Sequence, residues 1–116
     1  MVTVEVSKEY VSFRFEGTQK FLALKSTVRI PLGNIDDIST DTASAPWIAG
    51  KVGSHVPPFF WAGTFWTTTG KKFYYIRDRS KCVTLKLKNH EYSEVVIEVD
   101  DKQTIAEKIR EIVQNN

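Results

Sequence analysis

Val2, Val4 and Val6 recur with a period of two, Ser7-Lys8-Glu9 interrupts them, and Val11, Phe13 and Phe15 then alternate with Ser12, Arg14 and Glu16. Successive side chains of an extended chain point to opposite faces, so this pattern predicts a hairpin with one buried face. Gly17-Thr18-Gln19 ends it, and Phe21-Leu22-Ala23-Leu24 is too short for its period to separate strand from helical turn. Val28, Ile30 and Leu32 resume the alternation. Pro31 lacks a backbone donor, which marks an edge or a strand end. Gly33-Asn34 signals a turn, and Ile35 to Thr40 reads as a weaker strand.

Four later runs carry the same signal. Phe59-Phe60-Trp61 opens a strand running through Thr68, and Gly70 turns the chain into Lys71 to Asp78. Lys81 to Lys88 presents Val83, Leu85 and Leu87 on one face, and Tyr92 to Val99 presents Val95, Ile97 and Val99. Between the two groups, residues 41–59 show no clear period and contain Pro46, Gly50, Gly53, Pro57 and Pro58. The reading there is a long loop, which inside a compact domain is functional or mobile.

The pattern changes once, at the C-terminal end. Ile105, Ile109, Ile112 and Val113 fall on one stripe of a helix over residues 101–115. Asp100 is the expected cap, with Gln103 reaching back to it, and both Asp100 and Asp101 suit the positive end of the helix dipole. The fold class is therefore mainly β with one C-terminal α-helix, seven or eight antiparallel strands in a single domain over residues 1–116. The count depends on whether Val28 to Thr40 is one bent strand or two. A terminal helix of this length can plug the open end of a twisted sheet.

Composition narrows the functional classes. A chain of 116 residues with 41% hydrophobic and 26% charged residues can bury a core without disulfides or metals. Cys82 is the one cysteine, so no internal disulfide forms, which suits a reducing cytoplasm. No run approaches the roughly 18 apolar residues of a spanning helix, and residues 1–20 lack the form of a signal peptide. The net charge of +2 gives little long-range field, but its distribution is uneven. Residues 71–88 carry seven Lys or Arg against one Asp, a net of +6, and residues 89–116 a net of −4. Adjacent strands of opposite sign can pair across a ladder; the other reading is an anion-facing surface of Lys71, Lys72, Arg77, Arg79 and Lys81.

Catalytic and metal chemistry find little footing. His55 and His90 lie far apart in sequence, no metal-ligand spacing exists, and no phosphate loop precedes a helix, so neither a metal nor a cofactor is expected. Asp36-Asp37 point to opposite faces if extended, and Asp100-Asp101 are explained by capping. Cys82 shares a face with Thr84 and Lys86; a nucleophile would need a base and partial exposure, so the expectation is a passive thiol. Basic residues interleaved with Phe73, Tyr74 and Tyr75 suggest nucleic acid, yet the strand lacks the RNA-recognition signature. Phe73, Tyr75 and Arg77 share one face and Tyr74 and Ile76 the other, so one aromatic set should be core. The pattern argues against nucleic acid as a partner.

Ala23-Leu24-Lys25-Ser26, Ile30-Pro31-Leu32-Gly33-Asn34-Ile35, Gly53-Ser54-His55-Val56-Pro57, Ala62-Gly63-Thr64-Phe65-Trp66 and Gly70-Lys71-Lys72-Phe73-Tyr74-Tyr75-Ile76-Arg77-Asp78 together resemble small bacterial pleckstrin-homology-like (PH-like) proteins of unassigned function. Tyr92 to Val99, the Asp100-Asp101 pair and the final helix fit the same pattern, so the resemblance covers nearly the whole chain. The family pattern has an arginine near Lys51 and a glycine where Pro58 stands. The resemblance implies a PH-like split β-barrel of two near-orthogonal antiparallel sheets, one corner capped by the helix. Relatives with this fold bind phosphoinositides through bases around the first hairpin, where this chain offers only Lys8 and Arg14. A multiply charged headgroup needs several converging cations, which argues against specific phosphoinositide binding.

The expected function is a non-catalytic interaction module, bacterial and cytoplasmic, acting through an unknown protein partner or self-association. Trp47, Lys51, His55, Phe59 and Phe60 in the 41–59 loop form its candidate recognition surface. Two alternatives stand beside it: an anion site on the basic hairpin 71–88 for nucleic acid or acidic lipid, and an enzyme with Cys82 or His55 in a pocket.

Overall fold

Thr3–Val6 (β1) and Tyr10–Arg14 (β2) form the antiparallel hairpin that the valine and phenylalanine alternation predicts, with Val4 opposite Phe13 and Val6 opposite Val11. The computed structural model describes residues 2–17, 23, 26–43, 48–56 and 60–115; most of the short Phe21–Leu24 run lies outside them. Thr27–Pro31 (β3) pairs with the other side of β2 and completes a three-stranded sheet. Pro31 stands at the end of this edge strand, where its missing donor does no harm. The 3₁₀ turn Leu32–Asn34 then carries the chain into a different sheet, so Val28 to Thr40 is two strands.

The second sheet has six strands: Ile35–Ser39 (β4), Ile48–Val56 (β5), Phe60–Thr67 (β6), Gly70–Ile76 (β7), Cys82–Leu87 (β8) and Glu94–Glu98 (β9), in the order β4-β8-β9-β7-β6-β5. Among the described residues, nine strands replace the expected seven or eight. One addition is β5, which occupies half of the segment read as a loop and is paired along its length with β6. The expectation of antiparallel pairing throughout also needs correction. The chain leaves β7, crosses to β8, and returns as β9 between the two, which makes β9 parallel to β7 and antiparallel to β8.

Both faces of this sheet bury apolar side chains. Toward the three-stranded sheet, Phe73, Tyr75, Val83, Leu85, Val95 and Ile97 join Val11, Phe13, Phe15, Val28 and Ile30 in one core. On the opposite face, Trp61, Phe65, Tyr74, Ile76, Cys82 and Val96 gather with Ala43 in a smaller cluster. The two aromatic sets of β7 are therefore both buried, where strand alternation alone required only one.

Lys102–Gln114 (α1) contacts β1, β4 and β8, so it touches both sheets. Ile109 and Ala106 are fully buried in the main core, with Ile105, Ile112 and Val113 packed against it. The cap is Asp101 rather than Asp100: its carboxylate accepts from the Thr104 amide at 3.2 Å and the Thr104 hydroxyl at 2.8 Å. The Val99 amide still donates to the Lys81 carbonyl, continuing the β8–β9 ladder and delaying the helix start. The Thr104 bonds hold the Asp101 carboxyl below the ordinary aspartate range. No described helix is long and apolar enough to cross a membrane.

Candidate functional site

β5 ends the six-stranded sheet, and its outward edge has no strand partner among the described residues. Gly50, Val52 and Ser54 stand opposite Trp66, Thr64 and Ala62, on the same face of the sheet as the main core. The three-stranded sheet does not cover them fully. Val52 is 48% and Trp66 40% exposed, the large exposed hydrophobics among the described residues. They are diagonal neighbours across β5 and β6, a spacing within reach of an aromatic ring.

The position of Trp66 follows from its neighbours. A Cβ on Gly50 would lie 3.9 Å from Trp66 Cε3, so the ring crosses the glycine. On its other side the Lys71 ammonium lies 5.6 Å from the indole centroid and 5.3 Å from that of Tyr92, and 3.4 Å from a Glu91 carboxylate oxygen. Tyr92 is fixed in turn: its hydroxyl is 3.1 Å from the Thr64 hydroxyl, its amide donates to His90 Nδ1 at 3.0 Å, and the two rings stack. A rigid aromatic ring, half exposed and flanked by a cation, has the form of a recognition anchor.

Gly53 and Gly63 face each other across β5 and β6, with φ of +141° and +125°. A Cβ on Gly63 would overlap the Val52 carbonyl, and one on Gly53 the Ala62 carbonyl. The close approach of the two backbones thus excludes side chains at both positions. A second irregularity lies between Ile48 and Gly50.

Of the residues singled out in the sequence, Lys51 and Phe60 have described side chains beside this edge. Lys51 is exposed on β5 opposite Phe65, on the face away from the main core. Phe60 is half-buried, with its ring edge-on to Tyr75 at 6.0 Å, and packs against the main core. His55 pairs with Trp61 through its backbone, and its side chain, like Trp47 and Phe59, lies outside what is described. Trp66 and Val52 were not singled out. The one available signal was Trp66 at the core-facing phase of a strand that had already reached its turn.

The basic set does not converge. Lys71 lies on the core side of β7, and Lys72 points to the other face, 3.5 Å from Glu94. Arg77 meets Glu98 at 3.2 Å, and the same carboxylate accepts the amides of Arg77 and Asp78 at 2.7 and 2.6 Å. Arg79 donates to the Ala43 carbonyl at 3.4 Å, while Lys81 is exposed. On the face away from the main core, Lys72, Glu94, Lys86 and Asp37 follow one another across β7, β9, β8 and β4 as a ladder of alternating charge.

Cys82 is completely buried, with its thiol 3.4 Å from the Asp78 carbonyl. Burial, then the charges of Glu98 and Asp78, pushes its pKa up to about 12, so the thiolate is scarce at neutral pH. Among the described residues no group of three or more His, Cys, Asp or Glu could hold a metal ion. Compared with family models, curated proteins and solved structures, the chain matches none.

Proposed function

We propose that this chain is a non-catalytic binding module of PH-like split-barrel design, its two sheets crossing at a steep angle with α1 at one mouth, and that it acts through protein–protein contact at the β5 edge. Contact of α1 with β1, β4 and β8 supports the barrel reading, because one helix then bridges both layers. The nine described strands and the parallel β7–β9 pair make it a variant of the all-antiparallel arrangement that the resemblance implies.

The observation that carries the functional reading is Val52 beside Trp66 on a strand whose outer edge is unpaired among the described residues. Edge strands accept an added strand from another polypeptide, and side chains beside the edge set which one. The irregularities at Ile48/Gly50 and Gly53 shorten the stretch available for pairing. Selectivity then rests on the Trp66 and Val52 face. The partner is a second copy or another protein of the native host.

Two measurements separate these partners. Sedimentation across a range of concentrations reads a second copy, and capture from the native host reads another protein. Val52→Lys and Trp66→Ser should each weaken whichever contact is found, Trp66→Ser by about 2 kcal/mol as expected for a central anchor. A contact indifferent to both substitutions, or no contact by either method, overturns the proposal.

A further inference from the structure

The face of the six-stranded sheet turned away from the main core holds a cavity of about 320 Å³, at the lower end of the ~300–1,000 Å³ range of small-molecule sites. Tyr74 and Thr84 line it from β7 and β8, Glu94 and Lys86 from the charge ladder, and Asp37 and Asp41 from β4 and the segment that follows. That segment is pinned at two points. Lys102 Nζ of α1 donates to the Thr40 carbonyl at 2.6 Å. The Ala43 amide donates to the Arg79 carbonyl at 2.9 Å, and Arg79 returns a bond from its guanidinium. The wall of the cavity is therefore built into the fold.

Tyr74 supplies an independent observation. It is only 3% exposed and packs against Phe65, with ring centroids 5.4 Å apart, yet its hydroxyl makes no hydrogen bond among the described residues. Desolvation, reinforced by the Glu94 charge, raises its pKa, so it stays a neutral phenol with an oxygen able to accept. The ring is buried but the hydroxyl opens onto the cavity, within reach of a ligand donor. The charge of the lining selects the donor. Three carboxylates face one lysine, and Lys72 offsets part of the charge on Glu94 alone.

We propose that this cavity binds a small organic cation through a primary ammonium group, with Glu94 and Asp41 as its counter-charges and the Tyr74 oxygen as a hydrogen-bond acceptor. An aromatic ring and carboxylates around one ammonium are the usual elements of amine recognition. Lys86 opposes the ligand and limits its charge. The site is separate from the β5 edge, and neither reading depends on the other.

The test uses the full chain and three four-carbon probes of nearly equal size: n-butylammonium, n-butanol and butyrate. Calorimetric titration at low ionic strength should detect binding of n-butylammonium and of neither other probe. Asp41→Asn and Tyr74→Phe should each weaken it about fivefold, the loss of one hydrogen bond or counter-charge. Lys86→Gln should tighten it. Asp41 is exposed and Tyr74→Phe keeps the ring against Phe65, so both variants retain the packing around them. Shifts of the Thr84 and Val96 amide resonances on titration would locate the probe. Equal binding of n-butanol, preference for butyrate, no binding, or an affinity untouched by both Asp41→Asn and Tyr74→Phe would each overturn the proposal.

Discussion

Phe73 and Tyr74 are neighbours in β7 and both are buried, but they are held by different surroundings. Phe73 packs against Phe15 at 5.6 Å and Tyr92 at 5.9 Å, in a core shared by both sheets and α1. Tyr74 faces a cluster drawn mostly from its own sheet, and the same face passes within one strand row into the Lys72–Glu94–Lys86–Asp37 ladder. Among the described residues, one face is closed by a second layer and the other by a short strap from Thr40 to Ala43. Cohesion is concentrated on the first face, and room for a ligand remains on the second.

The sharpest way to test this contrast is truncation of one aromatic on each side. Phe73→Ala should destabilise the chain by about 3–5 kcal/mol in urea unfolding, and Phe65→Ala by less, because Phe65 belongs to the smaller cluster, drawn mostly from one sheet. An equal or larger loss at Phe65 would break the contrast. Gly63→Ala should be next, at about 1–3 kcal/mol, since the methyl meets the Val52 carbonyl at a positive φ. Hydrogen exchange should show β5 amides losing protection while those of β8 keep it.

Smaller effects probe the second face alone. The folded chain holds the Cys82 proton to about pH 12, whereas an unfolded thiol releases it near ~8.5. Stability is therefore full below the unfolded value and falls as pH rises above it, by roughly 1 kcal/mol at pH 9.5. Cys82→Ala should lose most of that slope, the smaller remainder coming from Tyr74, whose pKa burial also raises. Last, a double-mutant cycle on Lys72 and Glu94 should give a coupling of about 0.2–1 kcal/mol that shrinks with added salt.

The sequence pattern made legible those elements whose period is enforced by a buried face. Val11, Phe13 and Phe15 stand out against the exposed Arg14 and Glu16 because solvent lies on one side of the hairpin and the core on the other. β5 was hidden for the opposite reason. Gly50, Lys51, Gly53 and Ser54 bury little, and the strand is held by backbone pairing to β6, which leaves no periodic trace. The parallel β7–β9 pair was invisible because alternation reports which face is buried and not which strand lies alongside. Asp100 and Asp101 are chemically equivalent caps, and the continued β8–β9 ladder chose between them. The cavity draws Asp37, Asp41, Tyr74, Lys86 and Glu94 from separate stretches of chain, so no local motif announced it.

The insertion of β9 between β7 and β8 also bears on how the chain assembles during synthesis. Until residue 98 has emerged, β7 carries a bare edge of Phe73, Tyr74 and Tyr75, and β8 lacks the neighbour that joins it to the rest. A nascent polypeptide stalled near residue 90 would display an adhesive aromatic ribbon, the form most prone to coalesce with another such chain. The ribosome must deliver β9 before this sheet can be sealed, however early β7 and β8 have emerged.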